Sequence, residues 1–425
     1  IHSSRDGTLR AAALLALAKA GDENTLPVLA RVLEDLPAKP FDRMLLLEAS
    51  AEALWLERKH MRKQPWRDVA AHLVPYLDDP KTQERTKLVI ARRLARVWGA
   101  KQLPLEAEPW LARLEGRKPK APVDGPVAPP KAAPAFLGLE GSGGRVVDVL
   151  DLSDSMLTPL TGKEIEELKK TPTRPRPPTV TGKPTPRPKK AGAPAKPEPE
   201  KNDLVAQLPW SRIRTRFDAA REFLKLSLRD LRPGQMFCVI AFGNEAALLD
   251  ATPGLRQATE SNVEKAILEL ERVEPGPKKK GRPYGTLRGY TNLHGGLHRA
   301  FKVRPKGLAK AYEYVDERTF ANGADTIFLL SDGEPNWDDW PTKDLLDPDN
   351  KPGDPESGAT TTDSKTATFY GPYAIASRLL DDVRRLNLFR HVEVHCIGLG
   401  EYDPRLLEAI AYVGKGRFRR IGGGS

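Results

Sequence analysis

Cysteine is almost missing: Cys238 and Cys396 are the only two in 425 residues. That excludes a disulfide framework and a cysteine-rich zinc module. Long apolar runs are missing too. The longest, Ala11–Ala18, has eight residues, against the ~20 that a membrane-spanning helix needs, so no transmembrane segment is expected. The chain opens at Ile1 with no basic and apolar leader. Its amino terminus therefore reads as removed, and any targeting signal with it. The compartment stays open, with a lean to an extracytoplasmic one. Phosphate-loop and H-E-x-x-H spacings are absent, as is any readable nucleophile–His–acid arrangement. Gly141-Ser142-Gly143-Gly144 precedes its strand instead of following it, which rules out a dinucleotide loop.

Proline and positive charge are in excess. There are 39 prolines, about twice the ordinary share, which calls for linker or unfolded stretches. The net charge is +11, and ten of those charges lie in residues 171–200 and 276–290. The basicity therefore belongs to two segments and not to the fold. Both are poor in aromatic side chains for base stacking.

Residues 1–116 read as helices throughout. Leu14, Leu17, Ala18 and Gly21 close one helix. Leu26, Val28, Leu29, Val32 and Leu33 form the next, with Pro27 in its first turn, where a missing N–H is harmless. Phe41–His60, Trp66–Leu77 and Glu84–Trp98 follow. Leu17, Leu54 and Leu94 fall at matching places, 37 and 40 residues apart. A period near 40 with paired helices resembles HEAT-type repeats, an α-solenoid; an irregular helical bundle is the other reading. Residues 117–137, with six prolines from Pro119 to Pro134, read as an extended linker.

From residue 138 to 425 the pattern becomes α/β. Strands are expected at Arg145–Leu150, Gln235–Phe242, Thr326–Leu330, Val392–Leu399 and Arg417–Ile421. Helices are expected at Thr215–Leu231, Ser261–Val273, Asn292–Lys302, Tyr373–Leu386 and Pro404–Val413. Apolar strands alternating with helices imply a doubly wound, mostly parallel sheet, Rossmann-like in its layers. Two insertions interrupt it: a Pro/Lys/Arg/Thr-rich stretch, 158–208, expected to be disordered, and a polar loop, 338–369. Without them roughly 200 residues remain, enough for one domain.

Three motifs fall at carboxyl ends of expected strands or in the turns beyond: Asp151-Leu152-Ser153-Asp154-Ser155, Thr291-Asn292-Leu293 and Ser331-Asp332-Gly333. That edge of an open α/β sheet is where ligands bind. The motifs supply two carboxylates and three hydroxyls, hard oxygen donors suited to Mg²⁺ or Mn²⁺. In this order and context they resemble the von Willebrand factor type A (VWA) family, over 138–421 without the insertions. The resemblance implies a metal-ion-dependent adhesion site (MIDAS) at Asp151, Ser153, Ser155, Thr291 and Asp332. Ser153 and Ser155 would bind Mg²⁺ (Mn²⁺ or Ca²⁺ as alternatives) through hydroxyls, and Thr291 directly or through water. Asp151 and Asp332 would act mostly through water and hydrogen bonds. Such an ion keeps much of its charge and seeks a carboxylate from a protein partner. Asp154 stands where the family usually has Gly. It either adds negative charge beside the ion or faces solvent.

The expected function is a non-enzymatic protein-interaction or adhesion module. Two other readings share this domain order or fold: Ro-type RNA-binding proteins, and VWA partners of AAA+ (chelatase-like) ATPases. The basic stretches read either as a collar for an acidic partner or as solvated loops. His294 and His298, four apart on a helix, read as packing or helix-surface residues, with zinc ligation the lesser alternative. Cys238 and Cys396 read as core hydrophobes, on strands that the resemblance implies are not neighbours.

Overall fold

The structure is a computed structural model. It describes residues 6–60, 65–100, 103–119, 134–172, 204–275, 290–309, 314–332, 334–337, 372–400, 402 and 404–422. Two compact units form. One takes Ile1–Pro130, Val315–Ala321 and Leu388–His391; the other takes Lys131–Tyr314, Asn322–Asn387 and Val392–Ser425.

The first unit contains α1 (Gly7–Ala20), α2 (Thr25–Glu34), α3 (Pro40–His60), α4 (Pro65–Leu73), α5 (Glu84–Trp98) and α6 (Glu108–Glu115). Asp6 caps α1 through its carboxylate, and Gly21 ends it in the left-handed region at φ 68°, where a side chain would be strained. The helices stand in two rows: α1 packs on α3 and α3 on α5, while α2 packs on α4 and α4 on α6. Leu54 and Leu94 are fully buried, as their spacing predicts. Leu17 is only half-buried, and Leu14 takes the core position in its place. α6 has the Pro109-Trp110 start and Gly116 stop of a helix but was not expected as a separate element. Phe320 and Phe389, far along the chain, belong to this core. Phe320 stacks on Phe41 at 5.9 Å and lies 6.3 Å from Phe389. The unit is thus not the simple amino-terminal third of the chain.

The second unit holds a sheet of mostly parallel strands. A hairpin of β1 (Ala135–Phe136) and β2 (Leu139–Glu140) precedes β3 (Arg145–Asp151). α7 (Gly162–Lys169), α8 (Arg216–Asp230), β4 (Met236–Phe242), β5 (Ala246–Leu248), β6 (Arg256–Gln257), α9 (Glu260–Leu270) and α10 (Leu293–Lys302) follow. Then come a second hairpin, β7 (Val303–Arg304) with β8 (Gly307–Leu308), and α11 (Glu317–Asn322), most of which counts with the helical unit. β9 (Thr326–Ser331), α12 (Ala376–Asn387), β10 (Glu393–Leu399), α13 (Pro404–Val413) and β11 (Lys415–Ile421) complete it.

The strand order is β11-β10-β9-β3-β4-β5, with β5 antiparallel at one edge and β6 pairing antiparallel to β4. Neither antiparallel strand was expected; at two and three residues they are too short to show a period. The chain leaves β3 toward β4 and later returns to β3's other side as β9. The topological switch point therefore lies between β3 and β9, and crevices for ligands open beyond their carboxyl ends. α8 and α9 supply apolar residues to the core on one face of the sheet, and α10, α12 and α13 to the core on the other.

The disorder expected over 158–208 needs correction at both ends. Thr161 and Glu164 form a reciprocal capping box that starts α7, and Leu168 is fully buried. Val205, Leu208 and Ile213 join the same core. The Pro/Lys composition of the middle hid these apolar flanks. Residues 173–203, the basic stretch up to Gly289 and the loop 338–369 lie outside the described residues, as does most of the linker; its last residues, Ala135–Phe136, form β1. Cys238 on β4 and Cys396 on β10 are both free and buried, with two strands between them. Among the described residues no helix is long and apolar enough to cross a membrane.

Candidate metal centre

β3 and β9 are buried along nearly their whole length, and their parallel pairing sets Leu150 beside Leu330. One step further along each strand, Asp151 and Ser331 meet. The Ser331 hydroxyl donates to Asp151 Oδ2 at 2.6 Å, and Ser153 N–H donates to Asp151 Oδ1 at 2.8 Å. Asp151 is thereby fixed at the base of the loop that follows β3. In that loop Ser153 Oγ and Ser155 Oγ lie 3.0 Å apart, and Ser155 Oγ donates to Asp332 Oδ1 at 2.6 Å. Four of the five residues singled out by sequence thus form one hydrogen-bonded cluster.

Thr291 arrives from another direction. It is buried and precedes α10, whose cap is Asn292. Asn292 accepts from Gly295 N–H at 2.7 Å and donates to the Asn244 carbonyl at 2.8 Å, tying the helix start to the turn after β4. A Cβ on Gly296 would stand 2.9 Å from Phe242 and Val149, so glycine there lets α10 lie close on the sheet. Thr291 N–H donates to Asn336 Oδ1 at 2.7 Å, and Asn336 N–H returns to the Thr291 carbonyl at 3.2 Å. Thr291 is therefore joined to the segment that follows Asp332 and not to the serine cluster itself. On this rim Tyr290 and Trp337, both half-buried, stack at 5.0 Å.

Asp154 is exposed and opens a short 3-10 turn, Asp154–Leu157. Among the described residues the non-glycine positions with positive φ are Leu137, His391 and Lys415, so the loop does not need glycine at 154. Of the two readings for Asp154, the solvent-facing one fits.

Sequence reasoning missed two charged groups here. Arg216, the first residue of α8, donates through Nη1 to Asp332 Oδ2 at 3.0 Å. Its Nε lies 3.4 Å from Glu164 Oε1. The available signals were the two capping boxes, Thr161-x-x-Glu164 and Thr215-x-x-Asp218, which place Glu164 and Arg216 in first turns of helices.

Burial pushes the Asp151 carboxyl well above the ordinary carboxylate range, and the neighbouring Asp332 charge adds to it, against the hydrogen bonds from Ser153 and Ser331. Burial raises Asp332 as well, opposed by Ser155 and Arg216. Asp151, Asp332 and Glu164 are all buried, with Arg216 as the cation among them. Three buried acidic groups stand against one guanidinium, and a divalent cation would favour their ionised forms. The donors are hydroxyl and carboxylate oxygens, which suit a hard ion. Among the described residues no group of three His, Cys, Asp or Glu converges, so an ion here would rely on the serine hydroxyls. The residues present fit Mg²⁺ or Mn²⁺.

The two histidines of α10 lie side by side, with ring centroids 5.4 Å apart. His294 Nε2 is 2.7 Å from Asp382 Oδ2, and its ring stacks on Tyr373 at 3.9 Å. Tyr314 also donates to Asp382, at 2.6 Å. Burial drives His298 down to about 3, so it is neutral. One further buried group is Asp148, in the middle of β3. Among the described residues neither of its oxygens has a hydrogen-bond partner, and burial alone lifts it to about 8.

No family model matches the chain, and no curated protein matches it. Among solved structures it is similar to a von Willebrand factor type A protein from Catenulispora acidiphila, at 15% identity and a TM-score of 0.34. That match covers 66% of this chain and 39% of the other, so the chain spans well under half of its structural neighbour.

Proposed function

We propose that the α/β unit is a VWA-like domain whose sheet edge holds Mg²⁺ through Ser153, Ser155 and Asp332, with Asp151 behind and Thr291 at the rim, and that its function is non-enzymatic adhesion to a protein partner. The observation that carries this reading is the hydrogen-bonded cluster of two serine hydroxyls and a carboxylate at the switch point of the sheet. When bound there, the ion supplies a Lewis-acidic position for a carboxylate oxygen of the partner. Ser153 and Ser155 would contribute neutral oxygens, so that of these three ligands Asp332 alone would set a formal charge directly against the ion. Asp151 orients the loop by accepting from Ser153 N–H and Ser331 Oγ. Tyr290 and Trp337 offer an aromatic contact beside the site, of the kind that anchors interfaces. The two helical rows of the other unit, read as HEAT-like repeats, offer a second surface.

The test is capture of partners on the immobilised chain in Mg²⁺ and in EDTA, with Asp332→Ala as control. A protein retained only in Mg²⁺ and lost with Asp332→Ala supports metal-bridged adhesion. RNA retained in EDTA and released by salt overturns it in favour of an RNA-binding role.

A further inference from the structure

We propose that Arg216 is the built-in counter-cation of this edge and sets how tightly it takes a divalent ion, an inference that rests on the metal-site reading above. The two oxygens of Asp332 are divided between different tasks. Oδ1 accepts from Ser155, inside the serine cluster, and Oδ2 accepts from the Arg216 guanidinium. One oxygen of the ligand carboxylate is thus already committed to a cation that belongs to the chain.

The guanidinium sits in a formed niche. Gly400, at the end of β10, has φ +86°, and a Cβ there would lie 2.1 Å from Arg216 Cζ. Glycine is what lets the arginine lie over this backbone. Glu164 closes the niche from α7, buried and 3.4 Å from Nε. Glu164 is itself held, since it accepts from Thr161 N–H at 2.6 Å. The next turn of α7 is fastened too: Glu167 accepts from Gly422 N–H at 2.7 Å, just past β11. At its amino end, α8 is tied to the metal loop's exit by Arg216 N–H donating to the Thr158 carbonyl at 3.1 Å. Arg216 therefore cannot swing away without undoing several contacts.

A fixed positive charge touching a ligand carboxylate repels a second cation at the same cluster, and burial strengthens that repulsion. It also lowers the negative charge that draws the ion in. Arg216 holds affinity below what the oxygen donors alone would give, and Glu164 partly offsets it. A merely structural arginine would behave differently: removing it would loosen Asp332 and leave metal affinity unchanged or weaker.

The test is Mn²⁺ titration calorimetry on the full chain, with the Mn²⁺-induced rise in melting temperature as a second readout. Arg216→Gln, which keeps a hydrogen-bond donor and removes the charge, is expected to tighten Mn²⁺ binding by about tenfold or more. Arg216→Lys, which keeps the charge, is expected to stay within about threefold of the parent. Glu164→Gln is expected to weaken binding by about threefold or more. Unchanged or weaker binding in Arg216→Gln overturns the proposal. If that variant fails to fold, Glu164→Gln decides: unchanged or tighter binding overturns it. Ser155→Ala separates the two claims. Mn²⁺ bound by the parent and lost in Ser155→Ala, without tightening in Arg216→Gln, sinks the counter-cation and leaves the metal site standing. No Mn²⁺ response in the parent sinks both.

Discussion

In the helical unit, buried Arg93 pairs with Glu52, Thr86 donates to Glu48 at 2.9 Å, and Arg92 and Arg85 donate to the backbone carbonyls of His391 and Arg390. At the carboxyl edge of the α/β sheet, Asp332 and Glu164 share the Arg216 guanidinium, and a third buried carboxyl, Asp151, has only the hydrogen bonds of Ser153 and Ser331. The first region matches each of these buried charges with a partner; the second leaves negative charge in surplus. Matched pairs of this kind fix packing, and breaking one strands its partner. A surplus raises the energy of the folded chain and persists where something else is meant to neutralise it. Asp148 is a buried acid without that purpose: it lies in an apolar layer with Val146, Leu150, Val239 and Phe328, and among the described residues neither of its oxygens has a hydrogen-bond partner.

The largest effect expected from this contrast lies in the helical unit. Glu52→Ala leaves Arg93 buried without its carboxylate and should cost about 3–5 kcal/mol, read as a lower denaturation midpoint. Adding Arg93→Met should recover most of the loss. A cost under about 1 kcal/mol would mean that this pair is not structural and would erase the contrast.

Asp148→Leu should act the other way, stabilising by about 1–3 kcal/mol at pH 8. The sign follows from its raised pKa of about 8. Between pH ~4 and ~8 the folded chain holds a proton that the unfolded chain has released, so stability falls as pH rises through that window. The gain from Asp148→Leu should therefore shrink at pH 5. Denaturation midpoints at the two pH values check it, and an equal gain at both would show that the carboxyl is already charged at pH 5.

If the proposed ion binds, protons would compete with it for Asp151 and Asp332, both raised by burial. Apparent Mn²⁺ affinity should fall by about tenfold from pH 8 to pH 5.5, measured by titration at each pH. A flat profile would move binding away from these carboxylates. The smallest effect belongs to Asp154→Gly. Because Asp154 is exposed and its turn has ordinary dihedrals, stability should change by no more than about 0.5 kcal/mol. A larger change would give the exposed carboxylate a part in the surplus.

Much of this was legible along the chain. α5 and α13 run over the residues expected from periodicity and end signals, and the motifs that gather Asp151, Ser153, Ser155 and Asp332 lie in plain order. What escaped depends on contacts between distant residues. Phe320 and Phe389 enter the helical core from sequence more than 200 residues beyond α6, and no local pattern announces that. α7 was masked by the proline-rich composition beside it. Arg216 reads locally as one more basic residue at a helix start; only the closure of α7 and Gly400 around it reveals its task. Thr291 illustrates the reverse, since the motif groups it with the serines while its backbone hydrogen bonds tie it to Asn336.

The most direct test of the surplus-charge account is Mn²⁺ titration of the full chain beside Ser155→Ala at pH 8. The account predicts one binding event in the parent, lost in Ser155→Ala while the fold persists by circular dichroism. Equal binding in both, or none in the parent, would contradict it and leave the buried carboxylates without an ionic purpose.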